Sequence, residues 1–236
     1  MKNYATAAAL KARARQSLLG HYMTLSGVFI MLGILQYIIV VPSSLMHAYP
    51  PVGMILYYAA SFALELFFAI FHVGIAFLFL GNACGQYINS GSLFTGFWNN
   101  PGRAVRIQLV PSLMLLVPNV LPQIFLNQFF LAKDKKWLLY CLIAILVFLP
   151  FTLYVQILYS QVYYVMLDFP EMEPLECLRQ SRRLMKGNML RYLYLMLSFL
   201  PVTLLGVLSF GIGLFYVYPY REQTYANFYL DLVANK

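Results

Sequence analysis

The chain has 236 residues, 61% of them hydrophobic and only 10% charged, with a formal net charge of +8. Soluble domains carry about 25% charged residues, so this composition excludes a water-soluble globular protein, which would have too little polar surface to cover itself. The cations lie between apolar runs and not on one folded face, which argues against nucleic-acid binding and for a polytopic membrane protein.

The N-terminal cations Lys2, Lys11, Arg13 and Arg15 precede an apolar run from Leu18 to Val41. That run is too long for a signal-peptide core of roughly 7–15 residues, so it is expected to stay as a first span over 18–41, ended by Pro42. A second span is expected over 52–80, after "YPP", interrupted only by Glu65. The connector "GNACGQYINSGSLFTGFWNNPGRAVR" is rich in Gly, Asn and Ser and reads as loop, with Phe94, Phe97 and Trp98 suited to the headgroup level. A third span follows over 107–130, where Pro118 and Pro122 are expected to bend or break the helix. "AKDKK" is a short charged turn before a fourth span over 137–165, with Trp137 and Tyr140 as interfacial anchors.

The stretch "DFPEMEPLECLRQSRRLMKGN" reads as a short amphipathic helix. Pro174 suits its first turn, and Leu175, Leu178 and Met185 fall on one apolar face. Acids near its start and Arg182, Arg183 and Lys186 near its end complement the helix dipole. Gly187 and Asn188 end it. The run from Tyr192 to Tyr220 is too long for one crossing and too short for two. Since "SFGIG" offers a turn and helical spacing continues past Arg221, spans are expected over 189–208 and 211–231.

Six spans put both termini on one side. With the N-terminus inside, the inner segments hold 13 Lys and Arg, and the outer ones only Lys133, Lys135 and Lys136. The positive-inside rule therefore predicts a cell-membrane protein with cytoplasmic termini. The expected architecture is an all-α transmembrane helical bundle of six spans with short interfacial amphipathic helices, forming a single domain over 1–236. The cluster Arg179, Arg182, Arg183, Lys186 and Arg191 reads first as an orientation signal, and beyond that as a site for anionic lipid headgroups. Basic segments precede each odd-numbered span, "ARARQSLLGHY", "NNPGRAVRIQ" and "RQSRRLMKGNM", and aligning Gly20 with Gly187 also aligns Arg15 with Arg182. A threefold series of short helix plus hairpin accounts for this pattern. So does the need for positive charge on every inward segment.

"SRRLMKGN", a run ending "GIGLFYVYPY", and "TYANFYLDL" resemble the bacterial membrane family known as domain of unknown function 975, and "ARARQSLLGHY" resembles that family's opening. The resemblance implies about six membrane helices and brings no activity, substrate or catalytic residue. In layout alone, the chain is also similar to membrane domains attached to some glycerophosphodiester phosphodiesterases.

Glu65 is the most pointed candidate, because an acid inside a span costs roughly 2.5–3.5 kcal/mol unless it is paired, protonated or wet. His72 lies nearly on the same helical face. Together they suit proton relay or cation binding, while the plainer alternative is a Glu65 hydrogen-bonded to Gln or Tyr of a neighbouring helix. Asn119, Gln123 and Asn127 recur every fourth residue and form a polar stripe that Gln36, Gln156 and Ser160 could face; helix packing is the first reading of the stripe and a transport path the second. Cys84, Cys141 and Cys177 have no metal-ligand spacing, and Cys84 and Cys177 are expected reduced on the cytosolic side. The chain carries no phosphate loop, zinc motif or nucleophile elbow. It is expected to need no cofactor or metal, and to act non-enzymatically in the envelope, on lipid, or as a partner of another membrane protein. A small transporter or permease with Glu65 and the polar stripe of the third span lining a path is the alternative, and a lipid enzyme using the acids Asp168, Glu171, Glu173 and Glu176 is a third.

Overall fold

The computed structural model describes residues 4–44 and 52–235. All regular structure among them is helical: α1 (Ala7–Leu18), α2 (Tyr22–Ser44), α3 (Val52–Ala83), a 3-10 turn (Ser90–Phe94), α4 (Thr95–Trp98), α5 (Pro101–Ala132), α6 (Lys135–Tyr159), α7 (Val162–Asp168), α8 (Pro174–Met185), α9 (Met189–Leu197), α10 (Leu200–Leu208) and α11 (Leu214–Ala234). Local chemistry sets the boundaries. Thr6 caps α1 by accepting from Ala9 N at 3.2 Å, and Asp134 caps α6 by accepting from Lys136 N at 3.0 Å, each satisfying an orphan first-turn donor. Pro occupies the first turn of α5 and α8, where its missing N–H is no loss.

Five helical stretches are long and apolar enough to cross a membrane: Tyr22–Val41, Val52–Ala83, Pro101–Ala132, Lys135–Asp168 and Met189–Leu208. The sixth expected span, 211–231, corresponds to α11, which does not join them. Its second half carries Gln223, Thr224, Asn227 and Asp231, all buried against protein, and a helix clothed by its neighbours needs no apolar exterior. The first candidate span ends at Val41 as expected, although the helix does not stop at Pro42 and runs on to Ser44. The "YPP" start of the second span lies outside the described residues. Pro118 and Pro122 do not break α5, which runs unbroken to Ala132; in membrane helices, neighbours and local adjustment compensate the lost donors. On α8 the buried face is Cys177, Leu178, Ser181, Leu184 and Met185. Leu175, expected on that face, is exposed, because it lies on the α8 flank turned from the core.

The core gathers at the end of the bundle that carries the N-terminus. The second half of α3 supplies Ala69, Ile70, Phe71, Val73, Ala76, Leu78 and Phe79. The connector folds back onto it so closely that a Cβ at Gly74 would collide with the Leu93 backbone carbonyl. Side chains of α1, α2, α5, α6, α7, α8, α9 and α11 join this cluster.

The hairpin formed by α9, α10 and α11 lies across this end. Leu190 and Leu193 share a cavity with Leu153 and Ile157 of α6. Leu200 and Thr203, well further along the hairpin, share another with Gln156 and Ile157 again. Ile157 thus lines both cavities. On the return arm, Ser26 Oγ donates to the Phe215 carbonyl at 2.8 Å, and the Tyr22 and Tyr216 rings lie 6.0 Å apart. α11 thus begins beside the first two turns of α2. It then runs antiparallel to α1, where Asn227 Nδ2 donates to Leu10 O at 3.4 Å and Ala5 N donates to Asp231 Oδ1 at 3.0 Å.

Candidate functional site

α3 projects Ser61, Leu64, Glu65, Phe68, His72 and Ile75 from one face, at the three- and four-residue spacing that aligns side chains along a helix. The facing stripe of α2 is Phe29, Leu32, Gly33, Gln36 and Val40. Between them, closed by Gln123 of α5 and by Phe215, Tyr218 and Arg221 of α11, lies a cavity of about 720 Å³. That size is typical of small-molecule sites, as is a mostly apolar wall with a few convergent polar groups.

Glu65 sits in this wall on a prepared mount. Ser112 Oγ donates to its Oε1 at 2.7 Å and Gln108 Nε2 donates to the same oxygen at 3.2 Å. Tyr163 OH donates to Gln108 Oε1 at 2.7 Å, so the chain of donors runs from Tyr163 through Gln108 into Glu65. The Tyr163 ring also stacks on His72, centroids 5.8 Å apart. Every polar member of this buried chain has a partner, as a low-dielectric setting requires. Ser112, 1% exposed, lies behind the carboxylate and out of reach of the cavity.

The cavity therefore brings together Glu65, His72 and Gln123. Asn119 is exposed and Asn127 half-buried, and neither lines it, because a step of four residues advances 40° beyond a full turn and the stripe winds away. Gln156 lines a second cavity of about 330 Å³ with Tyr192, Phe199 and Tyr225. Arg221 belongs to the walls of both cavities. Sequence reasoning passed over Arg221, Gln108, Ser112 and Tyr163, since a Gln, Ser or Tyr in a span carries no local mark of the partner it meets.

The basic cluster divides. Arg179, Arg182, Arg183 and Lys186 are exposed along α8, with the Arg182 guanidinium 5.9 Å from the Tyr159 ring. Arg191 is tied inward: Nη2 meets Asp231 Oδ2 at 2.6 Å and the Ala5 carbonyl at 2.9 Å, Nη1 donates to Asn188 Oδ1 at 3.2 Å, and the Tyr4 and Phe228 rings flank it. Arg103 at the start of α5 is buried, donating to Met166 O at 3.2 Å, Phe169 O at 2.6 Å and Cys177 Sγ at 3.3 Å. Burial pushes the Cys177 thiol above its ordinary range, and the Arg103 guanidinium only partly opposes this.

A further polar knot joins three elements. Asn82 Nδ2 donates to Gln223 Oε1 at 2.6 Å and to Ser17 O at 3.1 Å, Asn82 Oδ1 meets His21 Nδ1 at 2.8 Å, and Gln223 Nε2 donates to Phe79 O at 3.2 Å. Of the acids considered for catalysis, Asp168 accepts from Tyr229 OH at 2.5 Å. Among the described residues, no three His, Cys, Asp or Glu side chains converge as metal ligands.

No curated protein and no solved structure matches the chain. A family profile does match over residues 1–236, its whole length, and the chain belongs to that family, described as Protein of unknown function (DUF975).

Proposed function

We propose that this is a non-enzymatic integral membrane protein that holds an amphiphile in the cavity between α2, α3, α5 and α11. The observation that carries this reading is the cavity itself. A long apolar wall of Phe29, Leu32, Val40, Leu64 and Phe68 meets a short polar set, Gln36, Glu65, His72, Gln123 and Arg221, and such a wall suits an acyl chain with a polar head. The non-enzymatic part is supported by Ser112, the hydroxyl nearest the carboxylate, which is sealed from the cavity. Diazirine-bearing phospholipids incorporated into membranes that contain the protein test the reading. Adducts on peptides of α2 and α3 that include Gly33 and Phe68 are expected; adducts confined to the exposed faces of α5 and α6 would count against it.

The topology belongs to the same proposal. Four helices, α2, α3, α5 and α6, cross the cell membrane, both termini are cytoplasmic, and the α9–α11 hairpin lies at the inner surface with α1 and α8. The exposed cations of α8 then meet anionic headgroups, each worth about 1 kcal/mol near such a surface. Six crossings, expected from hydropathy, also place the termini inside and are the alternative.

A second reading, a small transporter, draws on Arg221 standing between two cavities. Reconstitution into liposomes with a proton-sensitive dye tests it: flux that disappears in Glu65→Gln supports transport, and equal traces with empty liposomes remove it.

A further inference from the structure

We propose that Arg221 is the headgroup anchor of the larger cavity and that its ligand is an amphiphile with one apolar chain and an oxyanion head, a carboxylate or a phosphate monoester. This rests on the cavity reading above and adds the chemical class of the ligand.

The guanidinium offers five donors in a fixed fork. Its described hydrogen bonds occupy one edge: Nε at 3.3 Å and Nη2 at 3.1 Å both reach the same oxygen, Glu222 Oε1. The Tyr218 ring lies 5.2 Å from the guanidinium carbon and holds the plane. Nη1 donates to no acceptor among the described residues and is not sealed off. Glu222 holds one edge but is not in the wall of either cavity, so the wall carries the cation without its balancing carboxylate. An Arg edge presented this way matches the two oxygens of a carboxylate or phosphate.

The remaining polar groups agree on where the head goes. Glu65 would repel an anion beside it, and its Oε1 is already held by Ser112 and Gln108. Glu65 and Ile75 both line the cavity, and they stand about 15 Å apart along α3 at 1.5 Å per residue. Gln223, two residues after Arg221, donates to Phe79 O at 3.2 Å, which sets Arg221 toward the Ile75 end, so an oxyanion there leaves the apolar wall of α2 and α3 for the chain.

Native mass spectrometry of the protein in a neutral detergent tests this with oleate, oleoyl lysophosphatidate and oleoylglycerol, which share a chain and differ in head. Charge-assisted hydrogen bonds of this kind correspond to about a 10- to 100-fold preference for the two anionic lipids. Arg221→Gln is expected to erase that preference while oleoylglycerol binding persists. Gly33→Phe acts independently: a Cβ at Gly33 meets open space, so the ring enters the cavity without moving backbone, and retention of all three lipids should fall. Equal binding of the three lipids by the wild type, lost in Gly33→Phe, would overturn the Arg221 assignment and leave the cavity reading standing. Lipid binding untouched by Gly33→Phe would overturn both. Inorganic phosphate alone binding with the affinity of lysophosphatidate would replace the lipid by a soluble oxyanion and remove the chain from the proposal.

Discussion

At the scale of single residues, the shortest ion pair among the described residues is Arg191 with Asp231. The Asp231 side chain is 5% exposed and that of Arg191 28%, so removing the cation strands a carboxylate among buried groups. Breaking a buried pair from one side costs about 3–5 kcal/mol, and the partial exposure of Arg191 favours the lower figure. Arg191→Met is therefore expected to destabilise by about 3 kcal/mol. Replacing both partners, with Asp231→Leu added, should recover much of that, since apolar groups of similar shape often substitute a buried ion pair without loss. Denaturant titration of the four proteins in detergent measures the coupling, and strictly additive losses would show that the pair is not a unit. Arg191 also marks a limit of reading residues one at a time. In the sequence it is the fifth cation of a basic cluster, and its carboxylate partner lies 40 positions away. Glu65 was legible because an acid in an apolar run is costly wherever it points. Arg221 was not, because only the fold shows that one edge of it lines a cavity.

At the scale of elements, the helix junctions repeat. Gly20, two residues before α2, and Gly187, two residues before α9, both have φ of +84°, and Asn100, directly before α5, has φ of +61°. After each glycine the same short bond forms, His21 N to Leu18 O at 2.9 Å and Asn188 N to Met185 O at 2.9 Å. Each left-handed residue thus separates a short helix from the start of a long apolar stretch, three times over. The alignment of Gly20 with Gly187 made this visible in sequence, since a left-handed residue strongly selects glycine; the third junction was hidden because Asn also tolerates that conformation. Gly20→Ala and Gly187→Ala should each cost about 1–2 kcal/mol from the strained φ alone, as open space surrounds both positions. Thermal unfolding of the two variants checks this, and Gly33→Ala, at a helical glycine also facing open space, should lose nothing. A drop at Gly33 equal to that at Gly20 would point to packing and not backbone strain.

For the whole molecule, apolar content and topology part company at the α9–α11 hairpin. Met189–Leu208 is long and apolar enough to cross, and its tip residue Phe210 is fully exposed, so hydropathy alone extends the bundle to five or six crossings. Contacts oppose that extension. From Ser26, where Phe215 meets α2, the helix continues to Ser44, a further rise of about 27 Å at 1.5 Å per residue. A hairpin turning over just before Phe215 stops well short of the far end that α2 reaches. Under the proposed topology its exposed apolar residues Leu204, Leu205, Leu208, Phe210 and Ile212 suit a lipid-dipping face, a role that needs apolar area without a crossing. Thiol accessibility separates the two arrangements. In a Cys84→Ser background, which removes the exposed native thiol, Phe210→Cys is expected to resist a membrane-impermeant maleimide added to intact cells. Lys135→Cys, at the first residue of α6, is expected to react. Labelling of both positions from outside would establish six crossings. Labelling of neither would put both positions inside, an inverted orientation that leaves the thirteen cations outside, against the positive-inside rule.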